Sequence, residues 1–194
     1  MNLELLDRDH LEAILLDPPT VSEHSKESAD PFNGLIPATG GERCRRLRHV
    51  LAAAHELLTR VAAQSIVGRP LLDSPTLMKD FLSVYFAGAE RESFAVVFLD
   101  VRLRVIATEE MFLGMIRDTA VSPREIARRA LQHNAAALVC AHPHPSSGDP
   151  EPSPSDLMLS TTLKEALALL DIRLVDHVIV AGKRCVSLAE RGLL

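Results

Sequence analysis

Three short apolar runs do most to limit what this chain can fold into: FAVVFL at 94–99, AALVCA at 136–141 and RLVDHVIVA at 173–181. Each is rich in branched or aromatic residues and short for a helix, so each reads as a buried strand. The segments between them open on a repeated signature, Ser-Pro, at Ser74-Pro75, Ser122-Pro123 and Ser153-Pro154. A serine N-cap accepts from the free N–H groups of a first helical turn, and proline at the next position gives up only an N–H that would be unpaired there. Helices are therefore expected over about 75–87, 123–133 and 154–170. Glu125 and Asp156, each three residues after its serine, complete candidate capping boxes. Further strands are expected at 104–107, after a turn near Asp100, and at 184–188; residues 110–115 either continue the first of these or form another. The order predicts an α/β fold, a mixed sheet flanked by helices, occupying residues 72–194.

The first 71 residues read differently. Residues 3–15 could form a short helix. Residues 17–41, rich in Pro, Gly, Ser and acids, read as a linker. Leu47, Val50, Leu51, Ala54, Leu57, Leu58 and Val61 then recur at helical spacing, predicting an amphipathic helix over about 42–65. Residues 1–40 carry eight acids and two bases, whereas residues 41–70 carry six arginines and two glutamates. Only this second block, through Arg43, Arg45 and Arg46, offers a basic patch to nucleic acid, and a solvated helix face explains it equally well. No apolar run approaches the ~20 residues of a membrane span. The acidic N-terminus lacks a signal-peptide pattern, and three scattered cysteines suit a reducing cytoplasm.

The chemistry concentrates in AHPHPSSGDPEPSPSD, residues 141–156. His142 and His144 stand two apart at the end of a buried strand, so on extended backbone both imidazoles reach the same side. Asp156 lies in the first turn of the following helix and can return to the same point. Two histidines and one carboxylate leave a fourth position open, which suits a catalytic zinc rather than a structural one. Such an ion would lower the pKa of a bound water to about 7. Glu92, just before the first strand, is the candidate general acid/base. Ser153 could donate to a developing oxyanion. Each residue also has a plain reading: a solvated strand end for the histidines, a capping box for Ser153 and Asp156, a surface acid for Glu92. Cys140 shares the parity of the histidines but is expected in the core. Asp176 and His177 alternate faces, so at most one points toward the site, where it could accept the other N–H of a metal-bound histidine; a satisfied structural pair is the simpler reading of both.

Glu92, then His142-x-His144-Pro145, then Ser153-x-x-Asp156 resembles the signature of JAB/MPN metalloproteases. More closely, ERESFAVVFLD at 90–100, the stretch at 122–153, RLVDHVIV at 173–180 and AERGLL at 189–194 resemble the bacterial RadC family. The resemblance implies a JAB/MPN-like domain with Zn2+ on His142, His144 and Asp156, Glu92 as general acid/base and Ser153 as oxyanion donor. It implies hydrolysis of a peptide or isopeptide bond in a protein substrate. The alternative is a DNA-associated repair or binding protein that uses the fold as a scaffold.

Three departures from the family pattern stand out. Seven residues, 146–152, separate His-Pro from Ser-x-x-Asp where the family usually has six, and the extra residue is expected as a bulge at Ser146-Ser147 beside Gly148. Pro143 replaces the asparagine that usually lies between the histidines, removing a backbone donor. Of the helical DNA-binding domain found in longer relatives, residues 37–58 match only the final glycine turn and helix, so residues 1–71 read as a degenerate helix-hairpin-helix-like region.

Overall fold

A computed structural model describes residues 6–16, 40–70, 75–113 and 121–194. Its contacts divide the chain into two units, Met1–Arg60 and Val61–Leu194. The first contains α1 (Arg8–Leu16) and most of α2 (Gly40–Ile66). The expected linker lies outside the described residues over 17–39, but Gly40 and Gly41 already belong to the helix.

The apolar stripe expected to be the buried face of α2 is largely in solvent. Leu47, Leu51, Leu58 and Val61 are 57–61% exposed, while Ala53 is fully buried. Helical spacing fixes which residues share a face, but burial needs a neighbouring surface. Among the described residues of the first unit, only the nine-residue α1 accompanies α2.

The second unit is a five-stranded sheet in the order β2-β1-β3-β4-β5. The strands are β1 (Ser93–Leu99), β2 (Val105–Leu113), β3 (Ala137–Pro143), β4 (Arg173–Ala181) and β5 (Arg184–Ser187). The segment expected at 104–107 and the one expected at 110–115, as far as Leu113, run together in the single strand β2, with 114–115 outside the described residues. It is joined to β1 by a turn in which the Asp100 carboxylate accepts from the N–H groups of Arg102 and Arg104. All pairings are antiparallel except β3–β4. A parallel pair needs a crossover, and α5 (Pro154–Ala168) supplies it.

Strand alternation sends side chains to two cores. Ala95, Val97, Leu99, Val139 and Ala141 face Met78, Phe81 and Leu82 of α3 (Pro75–Tyr85), together with Ile66 from the last turn of α2. Phe94, Val96, Phe98, Leu138 and Cys140 face Ile126 and Ala130 of α4 (Pro123–Gln132) and Leu163 and Leu167 of α5. The unit is therefore a mixed sheet between two helical layers.

The three helices begin at the expected prolines, with Ser74 itself outside the described residues, and one of the two expected capping boxes does not close. Ser122 caps α4 by accepting from the Glu125 N–H, but the Glu125 carboxylate pairs with Arg128 at 2.8 Å instead of closing a capping box. An arginine one turn along the helix is a charged partner for that carboxylate. At α5 the box is complete: Ser153 Oγ accepts from the Asp156 N–H, and the Asp156 carboxylate accepts from the Ser153 N–H at 2.8 Å.

Two stability measurements check this packing. Phe98 is fully buried, and Phe98→Ala is expected to cost about 3–5 kcal/mol in urea unfolding. Ser153→Ala removes the α5 cap and is expected to cost about 1 kcal/mol by the same measurement; an unchanged midpoint would show that the cap does not hold this helix.

Candidate metal centre

β3 delivers the two histidines. Leu138, Cys140 and His142 project toward α5, and His142 is fully buried. His144 lies one residue past the strand, its N–H held by the Val180 carbonyl at 2.7 Å. Pro143 stands between them in register with Val180. By alternation its nitrogen faces the β1 side, where pairing has ended at Ala95–Ala141, so the missing N–H interrupts no ladder.

The first turn of α5 brings Asp156 to the same point. His142 Nε2 is 3.2 Å from Asp156 Oδ1, His144 Nε2 is 3.5 Å from Asp156 Oδ2, and the two Nε2 atoms are 3.0 Å apart. Donors that share one tetrahedral zinc at ~2.0–2.1 Å lie roughly 3.3 Å from one another. The three residues form a cluster able to hold a metal ion. Cys140 is not part of it: it lies fully buried in the core, and burial pushes its thiol above the ordinary range.

The protons lead to the same conclusion. His144 Nδ1 lies 3.1 Å from the Asp149 carbonyl. A carbonyl only accepts, so the proton belongs on Nδ1 and a lone pair on Nε2 faces inward. That lone pair and the Asp156 carboxylate face one point, an arrangement able to hold a cation. Burial alone would raise the Asp156 pKa, but its contacts with His142, His144 and Ser153 outweigh it and hold the carboxyl far below its usual range. The hydrogen bond to Asp156 raises His144 in turn.

Ser153 Oγ donates to Asp156 Oδ2 at 2.7 Å, so its hydroxyl proton is spent on the ligand carboxylate in this geometry. Glu92, immediately before β1, lines the same cleft of about 330 Å³ as His144, Ser153 and Asp156. The structure thus brings all five candidate residues to one place, with His142 buried behind the cleft.

The longer loop does not displace Asp156. A turn at 145–147, followed by Gly148 in the left-handed region (φ 60°), takes up its length. Arg184 donates to the Gly148 carbonyl at 2.5 Å, and both Glu151 oxygens accept from Arg191 Nη1 at 2.8 Å.

Two residues around the centre were not picked out by the motif. His177 Nε2 lies 2.9 Å from His142 Nδ1, and His177 Nδ1 lies 2.6 Å from Ser160 Oγ. His177 is therefore a direct neighbour of a candidate ligand, whereas Asp176 accepts from Ser187 and from the N–H of Ala189. Burial drives the His177 pKa well below its ordinary value. The register between β3 and β4 shifts by one residue at Val175, a bulge that lets both Leu174 and His177 face α5. The available signal was a histidine inside an otherwise apolar strand pattern. On α2, Arg45 is exposed, and the side chains of Arg43 and Arg46 lie outside the described residues. Among the described residues no helix is long and apolar enough to cross a membrane.

Comparison with known proteins agrees with the geometry. Residues 72–193 match the family model of the RadC-like JAB domain. A UPF0758 protein of Albidiferax ferrireducens is 42% identical over 186 residues, covering 93% of this chain and 79% of the relative. One from Acidovorax sp. (strain JS42) is 45% identical over 170 residues, covering 88% and 68%. One from Leptothrix cholodnii is 47% identical over 147 residues, covering 76% and 66%. With a family match across the whole sheet and its site, and relatives this similar, the chain belongs to the RadC family of JAB-domain proteins.

Proposed function

We propose that this protein is a zinc-dependent hydrolase acting on a peptide or isopeptide bond of a protein substrate, in the cytoplasm. The observation that carries the reading is the convergence of His142 Nε2, His144 Nε2 and the Asp156 carboxylate beside an open cleft that also holds Glu92. When bound there, zinc supplies Lewis acidity that makes water a nucleophile near neutral pH.

The chain's own residues would do the rest. Glu92 takes a proton from the attacking water and passes it to the departing nitrogen as the C–N bond breaks. Ser153, which holds Asp156 in the free enzyme, turns its hydroxyl to the oxygen that gains charge in the transition state. The cleft is flanked by the loop 144–153, so the substrate carbonyl enters between that loop and the start of β1. The domain assigned to this activity is residues 72–194, preceded by the helical region 1–71; the family match over 72–193 supports that division.

DNA contact through Arg43, Arg45 and Arg46 is a separate reading. It rests on the uneven charge of the sequence and the exposure of Arg45. Salt-sensitive DNA binding that survives Glu92→Gln would support it.

The hydrolase reading is tested with zinc-loaded protein against a panel of peptide- and isopeptide-linked substrates. Glu92→Gln is expected to lower kcat by about 10²–10⁴ with zinc content unchanged. A variant that keeps the wild-type rate would remove Glu92 from the chemistry.

A further inference from the structure

The candidate centre is backed by a buried chain of hydrogen bonds that reaches from its first ligand into α5. His142 Nδ1, His177 and Ser160 Oγ are linked by contacts of 2.9 and 2.6 Å, and Ser160 Oγ lies 2.6 Å from the Asp156 carbonyl. All three side chains are at most 1% exposed. The geometry points to His177 and Ser160 as positioning residues that fix the tautomer of His142, leaving its Nε2 lone pair free for the metal before any metal arrives.

The direction follows from counting hydrogens. The Asp156 carbonyl can only accept, so Ser160 Oγ spends its one hydrogen there. The same oxygen then has only lone pairs for His177, which must donate from Nδ1. A neutral His177 with its proton on Nδ1 has a bare Nε2, and this accepts from His142 Nδ1–H. His142 is left with a bare Nε2, the atom that faces Asp156 and His144. The opposite arrangement would have Ser160 donating to His177 and His177 donating to His142. It would turn a His142 N–H into the centre, where it blocks ligation.

The chain of contacts also closes on itself. Asp156 offers its side chain to the centre and its main-chain carbonyl to Ser160, so one helical turn of α5 sets both the carboxylate ligand and the proton order behind the first histidine. Phe94 completes the packing, nearly parallel to the His142 ring at 6.3 Å and edge-on to His177 at 5.6 Å. The β4 bulge at Val175 is what turns His177 to this side. A histidine ligand whose second nitrogen has a fixed acceptor binds metal more tightly, and losing that acceptor typically costs 10–100-fold in affinity.

This inference rests on the metal-site reading above, and the test separates the two. Nitrogen-15 NMR of the metal-free wild type at neutral pH reads the tautomers directly. Zinc affinity is measured by chelator competition for wild type, Ser160→Ala, His177→Gln and His177→Leu, with thermal unfolding followed alongside. The expected result is a proton on Nδ1 of both His142 and His177. Zinc affinity should fall about 10–100-fold in His177→Leu. It should recover most of that loss in His177→Gln, whose amide oxygen can still accept from His142. Ser160→Ala removes a single oxygen, leaves the helix intact, and should weaken zinc binding in the same direction; it carries the test if His177→Leu does not fold. A proton on His142 Nε2 in the wild type would overturn the inference. So would zinc binding by folded His177→Leu or Ser160→Ala at wild-type affinity. A wild type that binds no zinc would remove the metal reading and this inference together.

Discussion

Two imidazole Nε2 atoms 3.0 Å apart, with a carboxylate oxygen 3.2 Å from one of them, form a donor cluster able to hold a metal ion. Much of the second unit serves to hold that arrangement. β3 carries one histidine next to its last residue, facing α5, and the next lies just past its end. The parallel β3–β4 pairing forces a crossover, and the crossover helix, capped by Ser153, carries Asp156 to the two histidines. The N-terminal turn of α5 is thus both a structural start and a side of the site. The local requirement for a capped helix and the chemical requirement for a fixed carboxylate are met by the same four residues, Ser153 to Asp156.

The loop between the second histidine and the helix is held from outside. Its carbonyl at Asp149 orients His144, its carbonyl at Gly148 is taken by Arg184 of β5, and its Glu151 is gripped by Arg191 near the C-terminus. Gly148, at φ 60°, lets the backbone turn sharply before α5 begins. These contacts draw the last strand and the C-terminal turn into the definition of the cleft. Asp176 adds to this by tying β4 to Ser187 and Ala189. A histidine inside β4 then closes the back of the site from the opposite side.

What the sequence makes legible here is what depends on short-range geometry. The helix starts at Pro123 and Pro154, the strands at 93–99 and 173–181, and the grouping of His142, His144 and Asp156 all follow from spacing and capping chemistry over a few residues. What stays hidden depends on partners distant in the chain. Simple alternation could not say whether Asp176 or His177 faced the site, because the bulge at Val175 resets the parity of β4. Ser160 is one more polar residue on a helix until His177 is brought against it. The stripe on α2 was legible as a face but not as a buried one, since nothing in the periodicity reports whether a surface is there to meet it. Glu125 shows the same limit at smaller scale: its spacing from Ser122 suits a capping box, and Arg128 takes its carboxylate instead.

The account stands on the claim that the His142–His144–Asp156 convergence holds a metal ion. The most direct test is the metal content, by mass spectrometry, of wild type and of His142→Ala/His144→Ala, each purified without added metal and then again after zinc addition and dialysis. The account expects about one zinc ion per wild-type chain and none in the double variant, with both proteins folded by circular dichroism. Folded wild-type protein that takes up no metal even after zinc addition would contradict it.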